Sequence, residues 1–249
     1  MKIKSILITL LLITLLLILF YFKSNFKSSI NKIAVIIHVG NISVFKEIVN
    51  DYPKFFNGSY DLYISCNNQS DYNTIKLMFP KATLFLFENK GMDIGPFLKT
   101  IKSIKGDYDY YIKLHTKSDK KWRDSLIKPI YDYNFKTSSN EVEMYGSKKQ
   151  VKKGMVPTCN FKYLNDIIGR NFNYLFDCNQ DMYFIGGTIF AFNRVYFNEL
   201  KKIKDIDYEW DILETGYITN SINSPKKTHA WEYLFGYLIY LNNKNITLI

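Results

Sequence analysis

Between residues 32 and 114, strand-length apolar runs alternate with segments of helical spacing, and this alternation narrows the fold more than any other feature. The runs are Lys32–Val39 (KIAVIIHV), Tyr60–Ser65 (YDLYIS), Thr83–Phe87 (TLFLF) and Tyr108–Leu114 (YDYYIKL). Between them, Ile42–Tyr52, Tyr72–Phe79 and Ile94–Ile104 repeat apolar residues at helical intervals, and Pro53 and Pro80 end the first two. Apolar strands of this length, separated by helices, predict an α/β fold with a mostly parallel central sheet flanked by helices. Right-handed crossovers then bring every strand's C-terminal end to one edge. Ligands bind at that edge in such folds.

After His115 the pattern loosens. Trp122–Tyr133 reads as a helix and 136–153 as a polar loop. Tyr183–Phe192 (YFIGGTIFAF) reads as one strand with a glycine pair inside it. Val195–Ile203 and the apolar Ala230–Leu241 read as helices. No repeat or low-complexity linker divides this stretch, so 32–249 is expected to form one domain, with 24–31 a short polar stem before it.

Residues 1–23 have a different character. Ser5–Phe22 is almost entirely Ile, Leu and Phe and carries no charge. It nearly spans a hydrocarbon core of about 30 Å, and no small-residue cleavage site follows it. A retained transmembrane signal anchor is expected in preference to a cleaved leader. Lys2 and Lys4 precede the run and Lys23 and Lys27 follow it, so the positive-inside rule does not choose a side. A type II arrangement, with the domain non-cytoplasmic, is the default. Sequons at Asn41, Asn57, Asn68 and Asn245 would be acceptors there.

The net charge of +10 favours an anionic partner. The lysines are dispersed, with no Arg-rich tract and no zinc-finger spacing, which argues against nucleic acid. A nucleotide diphosphate, or anionic lipid near the anchor, fits at least as well. Cys66, Cys159 and Cys178 are too few and too irregular for a disulfide framework and read as buried thiols.

Four clusters carry possible chemistry. Glu88–Pro96 (ENKGMDIGP) leaves the third strand and opens a helix. Gly91 and Gly95 allow tight turns, and Asn89 or Asp93 is placed to cap the helix or to bond a base or ribose. Lys113–Asp119 (KLHTKSD) ends the fourth strand. His115, Lys117 and Asp119 share a face if the chain stays extended, and the lysine would neutralise a diphosphate. Phe184–Thr188 (FIGGT) suggests close approach to the backbone or a bulge. His229 and Glu232 share a helix face at the start of the last helix, where the carboxylate is a candidate base tuned by the imidazole. Each cluster alone also has an ordinary reading as a cap, a turn or a solvated loop.

As a set, NKGMDIGPF (89–97), YDYYIKLHTKSDKKWR (108–123), FIGGTIFAFNR (184–194) and HAWEYLFGYL (229–238) resemble the rhamnan synthesis F family of bacterial polysaccharide assembly. The resemblance implies a single GT-A-like, Rossmann-like domain. It also implies transfer of a sugar, with rhamnose a candidate, from a nucleotide-sugar donor to a glycan or glycolipid acceptor. By the same resemblance Asn89, Gly91, Asp93, His115 and Lys117 bind the donor. Gly186, Gly187, Thr188 and Trp231 lie on the acceptor side. Glu232 is the catalytic base, with Asp93 second and His229 beside it. GT-A enzymes generally end the fourth strand in Asp-x-Asp, which holds a divalent Mn²⁺ or Mg²⁺; here the place reads His115-Thr-Lys117. Hard cations prefer oxygen, so the resemblance leaves the cofactor open between none and a divalent cation, with Asp119 a possible ligand. The departure also keeps alive a catalytically inactive, glycan-binding or scaffolding role.

Overall fold

The computed structural model describes Thr14 and residues 31–135, 140–154, 158–172, 182–216 and 226–249. The chain divides into two compact units, Met1–Ile30 and Asn31–Ile249. Apart from Thr14, the expected anchor lies outside the described residues. Among those described, no helix is long and apolar enough to cross a membrane.

The alternation over 32–114 is realised closely. Strand β1 (Ile33–Val39) is buried at every residue, as a strand covered on both faces must be. Asn41 then caps α1 (Ile42–Asp51), its side-chain oxygen accepting from the N–H groups of Ser43 and Val44. After β2 (Asp61–Cys66), Asn68 caps α2 (Gln69–Met78) in the same way through Asp71 N–H. There follow β3 (Thr83–Leu86), α3 (Ile94–Ser103), β4 (Tyr110–His115) and α4 (Lys120–Asp132). The second half holds β5 (Met144–Gly146), β6 (Val151–Gly154), α5 (Thr158–Phe172), β7 (Met182–Ile185), β8 (Phe190–Asn193), α6 (Arg194–Lys201), α7 (Ile206–Asp211), α8 (Lys227–Leu241) and β9 (Thr247–Leu248).

The main sheet has the order β3–β2–β1–β4–β8–β5–β9. Strands β1 to β4 are mutually parallel, whereas β8 runs antiparallel to both of its neighbours. β5 and β9 regain the common direction. The sheet is therefore mostly parallel, with one reversed strand. Strand order reverses between β1 and β4, and such a switch point opens a crevice outside the strand ends.

Two expectations are corrected. The stretch 136–153, expected as loop, carries β5 and most of β6. Tyr183–Phe192, expected as one strand, is two: β7 pairs with β6 in a small separate sheet, and β8 joins the main one. Gly187 at φ +95° and Thr188 at φ +52° turn the chain between them. Helix α5 was not anticipated, although Leu164, Ile167 and Ile168 bury one helical stripe of it. Of the cysteines, Cys66 is buried and free.

The core is aromatic. The ring of Phe97 meets those of Phe190, Phe192 and Phe235 edge-on at 5.6–6.3 Å. Helix α8 buries every residue from Leu234 to Ile239, with Phe235 against Phe190 of β8. It reaches β7 through Gly236, where a Cβ would lie 2.0 Å from the Tyr183 carbonyl oxygen. Gly236→Ala therefore must push α8 off β7, at a cost of about 1–3 kcal/mol. A lowered Tm in circular-dichroism melting is expected; an unchanged Tm would show that the packing is looser than described.

Candidate functional site

Two adjoining cavities open at the C-terminal edge of the parallel strands. The larger, about 230 Å³, lies at the switch point between β1 and β4. Residues from the ends of β1 and β2 and from the segments after β3 and β4 line it, among them His38, Asn41, Asn67, Asn89 and Thr116. The smaller, about 120 Å³, is lined by Lys117 and Trp122, by Gly187 and Thr188, and by Thr228, His229 and Glu232 of α8. Met92, Asp93 and His115 line both. The segments bearing Asn89–Asp93 and His115–Lys117 thus converge, as the sequence reading required.

Beneath the shared wall is a buried charged network. Lys113 and His115 are two apart on β4 and point to one face. The Lys113 ammonium, 1% exposed, pairs with Asp93 Oδ2 and donates to the Thr188 carbonyl at 2.8 Å. Thr188 Oγ1 donates to the same Asp93 oxygen at 2.6 Å. Asp93 is therefore a fixed acceptor inside the protein as well as a cavity wall.

The Gly187–Thr188 turn connects this network to α8. His115 Nε2 donates to the Gly187 carbonyl at 2.7 Å, which places the ring proton on Nε2. The Gly187 N–H donates to Glu232 Oε1 at 2.7 Å. One glycine thus holds both the imidazole and the carboxylate. A side chain there would meet Leu126 Cδ1 at 3.0 Å and the Trp122 ring at 3.2 Å, and the positive φ disfavours any other residue. Thr188 also has φ > 0, which a β-branched residue adopts only under constraint. The bonds to Asp93 and Lys113 supply that constraint.

Electrostatics separates the two carboxylates. Burial raises the Glu232 pKa, only partly opposed by the Gly187 N–H. Burial also works against ionised Asp93, but the neighbouring His115 and Lys113, with hydrogen bonds from Lys113 and Thr188, hold its pKa well below the usual range. Two carboxyl groups pushed in opposite directions in one site are suited to different tasks. Burial lowers the pKa of His115 and His229, and takes His38 down to about 3, so the His38 imidazole is neutral near pH 7. The Lys117 ammonium lies 3.4 Å from the Trp122 ring centroid and makes no hydrogen bond among the described residues. Partial burial lowers its pKa.

Of the residues singled out in the sequence, Asn89, Asp93, His115, Lys117, Gly187, Thr188, His229 and Glu232 meet around the cavities. Four do not. Gly91 sits under Leu213, 2.5 Å from where its Cβ would be, and serves packing. Gly186 faces β6, its N–H donating to the Gln150 carbonyl. Trp231 is fully buried in the core, turned from Glu232 by one helical step. The chain turns after His115, so Asp119 leaves the common face and caps α4 through Trp122 N–H at 2.9 Å. The sequence reading passed over His38, Asn41, Asn67, Thr116, Ser118, Trp122 and Thr228. It also passed over Glu214, whose carboxylate accepts from the Lys227 and Thr228 N–H groups and fixes the start of α8. His38 was discernible as a lone polar residue near an apolar strand end, whereas Asn67 opens the polar run 67–71 and carries no such signal.

The residues present do not fit a hard divalent cation. At the Asp-x-Asp position stand an imidazole whose Nε2 is committed to a carbonyl and an ammonium on a tryptophan. The Asp93 carboxylate, which lines both cavities, already accepts from Lys113 and Thr188. Among the described residues no group of three or more His, Cys, Asp or Glu side chains is arranged to hold a metal.

No curated protein matches the sequence. A family model described as rhamnan synthesis protein F matches residues 12–182, which includes both segments that form the shared wall of the cavities and stops short of Gly187 and Glu232. That match spans more than half of the chain, which therefore belongs to the rhamnan synthesis protein F family, a family of polysaccharide synthesis.

Proposed function

We propose that the protein is a glycosyltransferase that moves a sugar from a nucleotide-sugar donor to a glycan or glycolipid acceptor during polysaccharide synthesis. The observation that carries this reading is the meeting of the Lys117 ammonium, which rests on the Trp122 ring, with a partly buried carboxylate of raised pKa, Glu232, across one cavity that adjoins a second. Family membership supports the polysaccharide context.

In this reading the donor diphosphate lies along His115–Lys117 and the acceptor hydroxyl points at Glu232. The hydroxyl oxygen forms a bond to the anomeric carbon and its proton passes to the Glu232 carboxylate. The bond from that carbon to the diphosphate oxygen breaks, and its electron pair leaves on the diphosphate, where Lys117 meets the charge. This is the course of an inverting displacement. Asp93 is held ionised by Lys113 and is a poor proton acceptor, so it serves as a fixed polar wall to the donor sugar.

A thermal-shift screen of nucleotide sugars, followed by assays of transfer and donor hydrolysis, tests the reading. A stabilising nucleotide sugar that is also turned over is expected. Binding without turnover would instead make the protein an inactive glycan-binding or scaffolding member of the family. Because Lys117 supplies the positive charge, turnover is expected to persist in EDTA; strict dependence on added Mn²⁺ would refute that part.

The apolar Ser5–Phe22 run is part of the same proposal, as a single membrane span that tethers the domain on the non-cytoplasmic side. The full chain is then expected to stay with membranes through alkaline carbonate washing. Release into the wash would remove the tether from the proposal.

A further inference from the structure

We propose that Arg123 is a positioning residue for the reaction: from outside both cavities it fixes the turn that aims the Lys117 ammonium at the donor diphosphate. The inference rests on the donor reading above and names what holds Lys117 in place.

Arg123 lies in the first turn of α4 and is 1% exposed, yet the steps of transfer make no use of it. Its guanidinium joins three parts of the chain. Nη1 donates to the Lys117 carbonyl at 2.8 Å, and Nη2 donates to Glu47 Oε2 of α1 at 2.5 Å. Two more bonds fold the turn between β4 and α4 back on the start of that helix. The Trp122 N–H donates to the Asp119 carboxylate and the Arg123 N–H to the Asp119 carbonyl, both at 2.9 Å. Consecutive residues therefore hold the two ends of Lys117: the Trp122 ring carries the ammonium, and Arg123 carries the carbonyl. Fixing that carbonyl fixes a peptide plane, and the backbone angles then limit the rotamers open to the side chain.

A purely structural role explains this arrangement poorly. A buried guanidinium is costly unless its N–H groups find partners, and Arg123 Nε has none among the described residues. Its counter-charge, Glu47, is half-exposed. Apolar residues of similar volume in place of such a pair are often as stable or more so. What they cannot do is donate to the Lys117 carbonyl. The guanidinium presents its nitrogens in one rigid fork, so it reaches α1 and the turn at once, whereas a lysine ammonium is a single point on a flexible stem. The buried charge therefore serves Lys117 and not the core.

Pyrophosphate affinity and thermal melting of the full chain, measured for Arg123→Met alone and combined with Lys117→Met, test the assignment. Arg123→Met is expected to weaken pyrophosphate by about tenfold, as for the loss of one strong hydrogen bond. In the Lys117→Met background the same change should have no further effect, because it acts through Lys117. Should Arg123→Met not fold, Glu47→Ala, at a half-exposed site, releases Nη2 and should weaken pyrophosphate in the same direction, again only where Lys117 is present. Unchanged pyrophosphate affinity in the folded variant, whatever its Tm, makes Arg123 structural and overturns the proposal. So does an equal loss in both backgrounds. A wild type that binds no pyrophosphate, or a Lys117→Met variant that binds it as well as the wild type does, refutes the donor reading itself, and the positioning role with it.

Discussion

Glu232→Gln is expected to lower sugar transfer by about 10²–10⁴-fold, the usual contribution of a positioned base, while nucleotide affinity stays at the wild-type level. The amide is the same size, and its oxygen still accepts from the Gly187 N–H that meets Oε1 at 2.7 Å. The loss then reports proton acceptance and not a collapsed turn. The pH profile gives a second readout. Burial raises the Glu232 pKa above that of an ordinary carboxyl group. Only the ionised form takes a proton, so kcat/KM should rise as pH rises through that elevated value and then level off. The glutamine variant should lack this limb. Near wild-type transfer by the variant would mean that another group is the base.

Lys113→Met is expected to cost about 3–5 kcal/mol, because it leaves the Asp93 carboxylate buried without its counter-charge and the Thr188 carbonyl without its donor. For a domain of this size that corresponds to a Tm lower by on the order of 10 °C. Adding Asp93→Asn to Lys113→Met should restore much of the loss, since the uncompensated charge is then gone and the amide oxygen still accepts from Thr188. Thermal melting of the two variants decides the matter. A single variant as stable as the wild type would show that the ammonium contributes little where it sits.

The first half of the fold was legible because parallel strands buried on both faces cannot avoid long apolar runs, as Ile33–Val39 shows. The second half was harder for specific reasons. β5 has three residues and β6 four, too few to build a period. In the run 183–192 the apolar residues continue across a break that only the conformations of Gly187 and Thr188 create. At the site, the ionisable residues of the motifs were found, whereas Thr116 and Ser118 between them, and Asn67 at the head of the polar run 67–71, are indistinguishable in sequence from ordinary loop residues. Trp231 was misplaced because neighbours on a helix point about 100° apart, and a motif read as a string does not say which of them faces the cavity. Asp119 was misplaced because the strand ended at His115, earlier than an extended reading allowed.

The pairing of Lys113 with Asp93 also bears on the order in which the molecule assembles. A strand with an ammonium at its centre cannot enter an apolar sheet profitably until the opposite charge is at hand. β4 therefore gains little by settling against β1 before the loop leading into α3 has arrived, although the two strands match along Ile33–His38 and Tyr110–His115. The central strands and that loop must consolidate together, so perturbations at either residue should slow refolding, whereas changes at the outlying β9 should mainly hasten unfolding.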